Sequence, residues 1–338
     1  MFEYGEFQER ETGAAIVAPT IAHVATYGST EFELEVRFGR RDGRLELTFP
    51  DRSVVVLSSG ARESKERENL ILRSGVTFGG LFRPYLTGPR LGAGGTAVVH
   101  QVKDPTGRVF AAKCLSPGRF RLDDLVQRFD RETSHLNEAT HRNVVEYIDQ
   151  AYFGDDLILV MELLTETLAS RLSVGKPPLN TAFTWLEEAL AGIAHLHQLG
   201  LVHRDVTPSN LMFSPEDRLK VSDFGTVRGD SDPDFTMDVS GIRLGSLLYI
   251  SDEQRREPHN AQAADDVFSA GQVGYYMLTG LVPHGNPPPL ATFAEIPSSV
   301  GNAVERMRSY RRSDRFPDGR QALEALRSAR SANDPSFG

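Results

Sequence analysis

The residues with most to offer chemically in this 338-residue chain are four acids or amides, one lysine and a group of glycines. The run His203-Arg204-Asp205-Val206-Thr207-Pro208-Ser209-Asn210 sets a carboxylate five residues before a carboxamide, and Asp223-Phe224-Gly225 brings a second carboxylate thirteen residues after Asn210. Asn210 and Asp223 supply hard oxygen ligands of the kind Mg²⁺ prefers. Asp205 can take up or orient the proton of an attacking hydroxyl. Lys113 ends the apolar stretch Val109-Phe110-Ala111-Ala112, which would bury its stem, and Glu132 follows nineteen residues later. A buried pair of these two would hold an ammonium in place for a phosphate. In Leu91-Gly92-Ala93-Gly94-Gly95-Thr96-Ala97-Val98-Val99 the glycines let backbone N–H groups approach phosphate oxygens, since no Cβ intervenes. Taken singly, each feature also has an ordinary reading: a turn, a surface lysine with a buried stem, a cap or an ion-pair partner. A strand rather than a helix is expected after the glycines, which argues against a dinucleotide-binding turn.

These groups need elements to hold them. Residues 91–115 have the β-branched and apolar texture of a sheet with turns, and Leu157 to Met161 reads as a short buried strand. Asp123 to Asn137 has helical spacing through Leu125, Phe129 and Leu136. Thr181 to Leu199 predicts a helix whose one face carries Phe183, Leu186, Ala189, Leu190, Ile193 and Leu196. Val267 to Thr279 predicts a second, so apolar that it belongs at the centre. The order is a sheet-rich lobe, then a helical one.

The first 80 residues read differently. Glu31 to Phe38 alternates polar and apolar, an Asp42-Gly43 pair suits a hairpin turn, and Leu45, Leu47 and Phe49 alternate again before a third strand from Val54 to Leu57. Ile16 to Tyr27 fits strand or helix equally. Ser59 to Arg73 fits a short charged helix, and Gly75, Gly79 and Gly80 mark a boundary. Two units result: a small β-rich N-terminal domain over 1–75 and a larger domain over 86–328.

Composition narrows the class. Hydrophobic residues make up 40% and charged residues 25%, both ordinary for a globular protein. A net charge of −9 argues against a general nucleic-acid binder. Cys114 stands alone, so neither an intramolecular disulfide nor a cysteine-zinc cluster is expected. No apolar run reaches membrane-spanning length and the first residues are acidic, so the expectation is a cytoplasmic protein without membrane insertion.

Glycine loop, strand lysine, helix glutamate, His-Arg-Asp with its later asparagine, and Asp-Phe-Gly occur here in one order. In that order the chain resembles the eukaryotic-like protein kinases over roughly residues 86–328, and its Gly-Gly-x-Ala loop is similar to bacterial Ser/Thr members. Glu253 falls at the glutamate closing the activation segment, Asp266 at the aspartate of the central helix, and Arg315 at the late arginine that pairs with Glu253. The resemblance implies an α+β bilobal fold, with a β-rich N-lobe over 86–162 and a helical C-lobe over 163–328. It implies ATP and Mg²⁺ as cofactors and Ser/Thr hydroxyls of protein substrates, this chain included, as acceptors. It places Gly92, Gly94 and Gly95 over the phosphates, and Lys113 on the α/β-phosphates paired with Glu132. Val99, Ala111 and Met212 would enclose the adenine, with Met161 as gatekeeper and Glu162, Leu163 and Leu164 as hinge. Asp205 becomes the catalytic base, with Asn210 and Asp223 on Mg²⁺. Leu136, Tyr147, His203 and Phe224 would form a stack that aligns the lobes.

Three positions depart from the family pattern. Thr207 stands where Ser/Thr kinases carry a lysine, and a hydroxyl cannot neutralise developing phosphoryl charge. Ala97 replaces the third loop glycine, and Asp252 replaces a proline before Glu253. A pseudokinase, binding ATP or a partner without transfer, is the rival reading, but such proteins usually lack one of Lys113, Asp205 or Asp223. Between Asp223 and Glu253 lie seven acidic and two basic residues, the ends included. Arg204 is the arginine that pairs with a phosphorylated activation segment in related kinases, with Ser231, Thr236 and Ser240 as the acceptors here and nearby aspartates as a built-in substitute. The N-terminal domain, with His23 its only histidine and no cysteine, is expected to regulate or bind a partner.

Overall fold

A computed structural model of the chain describes residues 21–27, 30–39, 44–48, 54–58, 74–93, 97–115, 140–153, 156–223, 228–229, 248–284 and 286–332. The expected helix over 123–137, the charged helix over 59–73 and most of the activation segment lie outside them.

The first strands are β1 (Ile21–Tyr27), β2 (Thr30–Gly39), β3 (Arg44–Thr48) and β4 (Val54–Ser58), an antiparallel meander in sequence order. Ile16 to Tyr27, left open between helix and strand, is strand from Ile21. The register sets Val36 opposite Leu47 and Leu47 opposite Val55.

A second, six-stranded antiparallel sheet comprises β5 (Thr77–Gly79), β6 (Pro84–Ala93), β7 (Ala97–Lys103), β8 (Val109–Leu115), β9 (Tyr147–Phe153) and β10 (Asp156–Glu162). Its order is β5-β6-β7-β8-β10-β9, and a bridge between Gly80 and Ala151 brings the two outer strands together. This sheet starts at Thr77, nine residues before the sequence boundary at 86. Of the glycines that read as punctuation, Gly75 takes a φ of 95° with open space around it, and Gly80 serves close approach. A Cβ on Gly80 would lie 2.3 Å from Asp149 Oδ2. Asp149, fully buried, accepts from Leu81 N at 3.0 Å, Phe82 N at 3.3 Å and Tyr85 Oη at 3.0 Å, which ties the start of the lobe to β9.

The sheet has two unlike faces. Register puts Val99, Ala111, Lys113 and Met161 on one. Val102, Phe110, Ala112, Cys114, Ile158 and Val160 occupy the other and form an apolar core with Phe78 and Tyr85.

The remainder is mainly helical. In chain order come β11 (Glu166–Thr167), α1 (Leu168–Val174), α2 (Leu179–Gln198), β12 (Leu201–Val202), β13 (Leu211–Phe213), β14 (Leu219–Val221) and β15 (Arg228–Gly229). They are followed by α3 (Asp252–Arg256), α4 (Ala263–Thr279), α5 (Ser298–Met307) and α6 (Gly319–Ser331). Helices α2 and α4 match the two read from the sequence, one by its apolar face and one by its apolar run. They centre the larger core, in which Leu186, Leu190, Ile193, Val267 and Val273 are fully buried. Helix α2 touches the loop before β9 at Gly192, where a Cβ would fall 2.3 Å from the Asn143 carbonyl. None of the described helices is long and apolar enough to cross a membrane.

Candidate active site

The loop carrying Asp205 leaves α2 through Gly200, whose φ of 71° suits glycine, and runs along β12. Asp266, buried in the first turn of α4, accepts from His203 N and Arg204 N, both at 2.7 Å, and lies 3.0 Å from His197 Nε2. Gly319 N donates to His197 Nδ1 at 3.0 Å, so His197 carries its proton on Nε2 and donates to Asp266. Burial works to raise the Asp266 pKa, but these donors and the His197 and His203 rings outweigh it and hold the carboxyl below the usual range. Arg204, gripped this way, adopts a φ of 70°, a left-handed conformation costing an L-residue roughly 1–2 kcal/mol. Such strain persists where surrounding bonds over-determine it.

Asn210 Nδ2 donates to both the carbonyl and Oδ2 of Asp205, at 2.8 Å each, and fixes that carboxylate from within its own loop. The β13–β14 hairpin then converts the thirteen-residue spacing into proximity. Leu211 pairs with Val221, and Ser222 donates through N and Oγ to the Asn210 carbonyl at 2.8 and 2.9 Å. Asp223 follows at once, with a φ of 64° and a half-exposed side chain. Its Oδ1 meets Lys113 Nζ at 2.5 Å, an ion pair joining the sheet of the first lobe to the second. Asn210 offers its Nδ2 to Asp205 and so has Oδ1 to offer a cation. With the Asp223 carboxylate this makes a hard oxygen set that fits Mg²⁺.

Met161 and Glu162 end β10, and Leu163 and Leu164 lead into the second lobe. Met161, on the sheet face of Val99, Ala111 and Lys113, packs on the large core with Met212 of β13. Gly92 pairs with Val99 at the mouth of this face. The structure thus sets Val99, Ala111, Lys113 and Met161 on one sheet face, joins Lys113 to Asp223 and Asn210 to Asp205, and packs Met161 and Met212 on the same core. Gly94, Gly95, Glu132, Leu136 and Phe224 lie outside the described residues, as do Ser231, Thr236 and Ser240.

Sequence reasoning missed Lys220. It lies on β14 opposite Met212, and its Nζ meets Glu162 Oε1 at 2.5 Å, while that same oxygen accepts from Glu146 N at 2.6 Å. A lone lysine between Leu219 and Val221 was the available signal, and it resembles any polar residue on a half-buried strand.

Behind the loop, fully buried Arg315 donates to Glu253 at 2.7 Å and to Asp265 at 3.0 Å, as expected for Glu253. Burial works against the Glu253 carboxylate, yet Arg315 holds its pKa below the ordinary range. Asp252 opens α3, where an acid suits the helix N-terminus, and pairs with Arg255. Its replacement of proline is therefore compatible with the helix start. Thr207 is buried, and its carbonyl accepts from Asn210 N and Leu211 N.

Comparison with known proteins identifies the family and the fold. The protein kinase domain family matches residues 85–317. Serine/threonine-protein kinase PknL of Mycobacterium tuberculosis is 33% identical over 202 residues, covering 59% of this chain and 50% of PknL. Serine/threonine-protein kinase PknA of the same organism is 30% identical over 286 residues, covering 78% of this chain and 64% of PknA. The chain spans about half to two thirds of the length of these relatives. The crystal structure of the Mycobacterium tuberculosis PknI kinase domain superposes with a TM-score of 0.60 at 24% identity, covering 76% of this chain and 99% of that one. By the family match and the fold, the chain belongs to the protein kinase domain family.

Proposed function

We propose that the chain is an ATP- and Mg²⁺-dependent protein kinase that phosphorylates Ser/Thr hydroxyls of protein substrates, including its own. The observation that carries this reading is the β13–β14 hairpin, which ties Asn210, the partner of Asp205, to Ser222 beside Asp223, the partner of Lys113. Phosphoryl transfer depends mostly on positioning and charge, and Asp205, Asn210, Asp223 and Lys113 address both. The adenine would sit among Val99, Ala111, Met161 and Met212 against the backbone of Glu162 and Leu163. Gly92, Gly94 and Gly95 would cover the phosphates, and Lys113, paired with Glu132, would neutralise them. Asn210 and Asp223 would hold Mg²⁺, whose charge offsets that of the phosphate oxygens when bound. Asp205 would orient the acceptor hydroxyl and receive its proton. Arg204 would receive a phosphorylated activation segment at Ser231, Thr236 or Ser240. Residues 1–75 would form a regulatory or partner-binding unit on a cytoplasmic enzyme.

Incubation of the purified chain with labelled ATP and Mg²⁺ tests the reading. Phosphate on serine or threonine is expected, and its loss is expected in Asp205→Asn. Nucleotide binding without any transfer would favour the pseudokinase instead.

A further inference from the structure

The peptide bond between Arg204 and Asp205 is held at both of its polar atoms by side chains. Asp205 N donates to His203 Nδ1 at 3.3 Å, and the Arg204 carbonyl accepts from Gln254 Nε2 at 2.6 Å. Gln254 belongs to α3, beyond the activation segment and fifty residues away in sequence. It is 2% exposed, and its Oε1 is buried with no hydrogen-bond partner among the described residues. A buried amide oxygen without a partner is destabilising, and an apolar side chain of similar size would avoid it. What the amide gains is a single donor delivered to the carbonyl of a strained residue, one peptide before the candidate catalytic carboxylate.

The delivery is itself built in layers. Ser251 Oγ caps α3 by accepting from Gln254 N at 3.1 Å and donates to Asp265 Oδ1 at 2.7 Å. Asp265, fully buried on α4, is in turn held by Arg312 at 2.7 Å and Arg315 at 3.0 Å. Its neighbour Asp266 grips the other side of Arg204 through the N–H. Two successive residues of α4 thereby fix Arg204 from both ends, one directly and one through Ser251 and Gln254.

Resting on the kinase reading above, we infer that Gln254 is a positioning residue for Asp205, coupling the end of the activation segment to the catalytic loop. Replacement should disturb the orientation of the carboxylate, and so turnover, while leaving the nucleotide face alone. The test uses Gln254→Met, which keeps the volume and removes the donor, and Gln254→Glu, which keeps the shape. An ionised carboxylate cannot donate to the carbonyl, whereas a protonated one can. Both variants are assayed in the full chain beside wild type, with thermal melting and ATP binding as controls. Gln254→Met should lower kcat about tenfold with KM for ATP within about twofold. For Gln254→Glu the kcat relative to wild type should be low at pH 8 and rise several-fold by about pH 6, a response that a structural role would not give. A Gln254→Met loss below about fivefold, or a Gln254→Glu ratio flat with pH, overturns the assignment. Failure of both variants to fold also overturns it, by making Gln254 part of the scaffold. Wild-type turnover abolished by Asp205→Asn is the control for the kinase reading, and the assignment falls with that reading if wild type is inactive.

Discussion

At the residue scale the chemistry rests on groups whose partners are now explicit. Asp205→Asn keeps the hydrogen-bonding shape but removes the proton acceptor. Turnover should fall about 10²–10⁴-fold, with melting temperature unchanged, as read by phosphate incorporation and calorimetry. Lys113→Ala breaks the ion pair with Asp223 and should abolish detectable transfer in the same assay. Thr207 yields a prediction of opposite sign. Lysine at this position would bring a cation beside the transferring group, so Thr207→Lys should keep or raise peptide phosphorylation, by up to about tenfold. A large loss in a folded Thr207→Lys variant would show instead that the threonine has its own role. Asp205, Asn210, Asp223 and Lys113 were legible in the sequence because their spacing follows local elements. A hairpin fixes Asn210 against Asp223, and a strand fixes Lys113. Lys220 and Gln254 were not, because each acts on an element remote in sequence and neither stands in an unusual local context.

At the element scale, two histidines with lowered pKa values, His100 and His141, give an expected response to acid. His100 of β7 is 1% exposed, and burial pushes its pKa below the ordinary imidazole range. His141 is lowered too, first by burial and then by the charges of His195, Arg142 and Lys220. Its ring stacks on that of His195 with centroids 4.9 Å apart. A histidine whose folded pKa is depressed takes up its proton more readily when unfolded. Its contribution is complete above about pH 6.5 and is lost as pH falls below that value towards the folded pKa. The melting temperature should therefore fall between pH 7 and 5.5, and less steeply in the double variant His100→Leu, His141→Phe. Equal slopes for the two proteins would exclude these rings as the cause. Periodicity found α2 because it buries one regular face, whereas continuous apolar runs marked α4 and the strand over 157–161. Helices α5 and α6 also bury regular faces, through Val300, Val304 and Met307 and through Ala322, Leu323 and Leu326, a spacing the sequence reading did not use.

At the scale of the whole molecule, the six-stranded sheet sets where the kinase domain begins. The resemblance runs from about residue 86, while the sheet begins at Thr77 and Gly75 N already donates to the Thr87 carbonyl. Phe78 and Tyr85 are both buried in the core of the first lobe, their rings stacked at 5.6 Å. Asp149 receives three of its donors from Leu81, Phe82 and Tyr85. Burial raises its pKa despite those bonds, so removing them would leave a carboxyl that its surroundings already disfavour as a charge. Two truncations separate the boundaries. Deleting residues 1–73 leaves β5, the Asp149 contacts and the core intact, so melting temperature and ATP binding should change little. Deleting residues 1–85 removes both aromatic rings, each worth about 3–5 kcal/mol if its loss resembles truncation to alanine. Against a total of about 5–15 kcal/mol, that loss alone approaches or exceeds the stability of a typical domain. The shorter protein should fail to fold or melt far below the longer one. Equal melting temperatures for the two would place the boundary at 86 and make β5 dispensable. Unfolding of the first truncation would show that the four N-terminal strands are needed by the kinase domain itself.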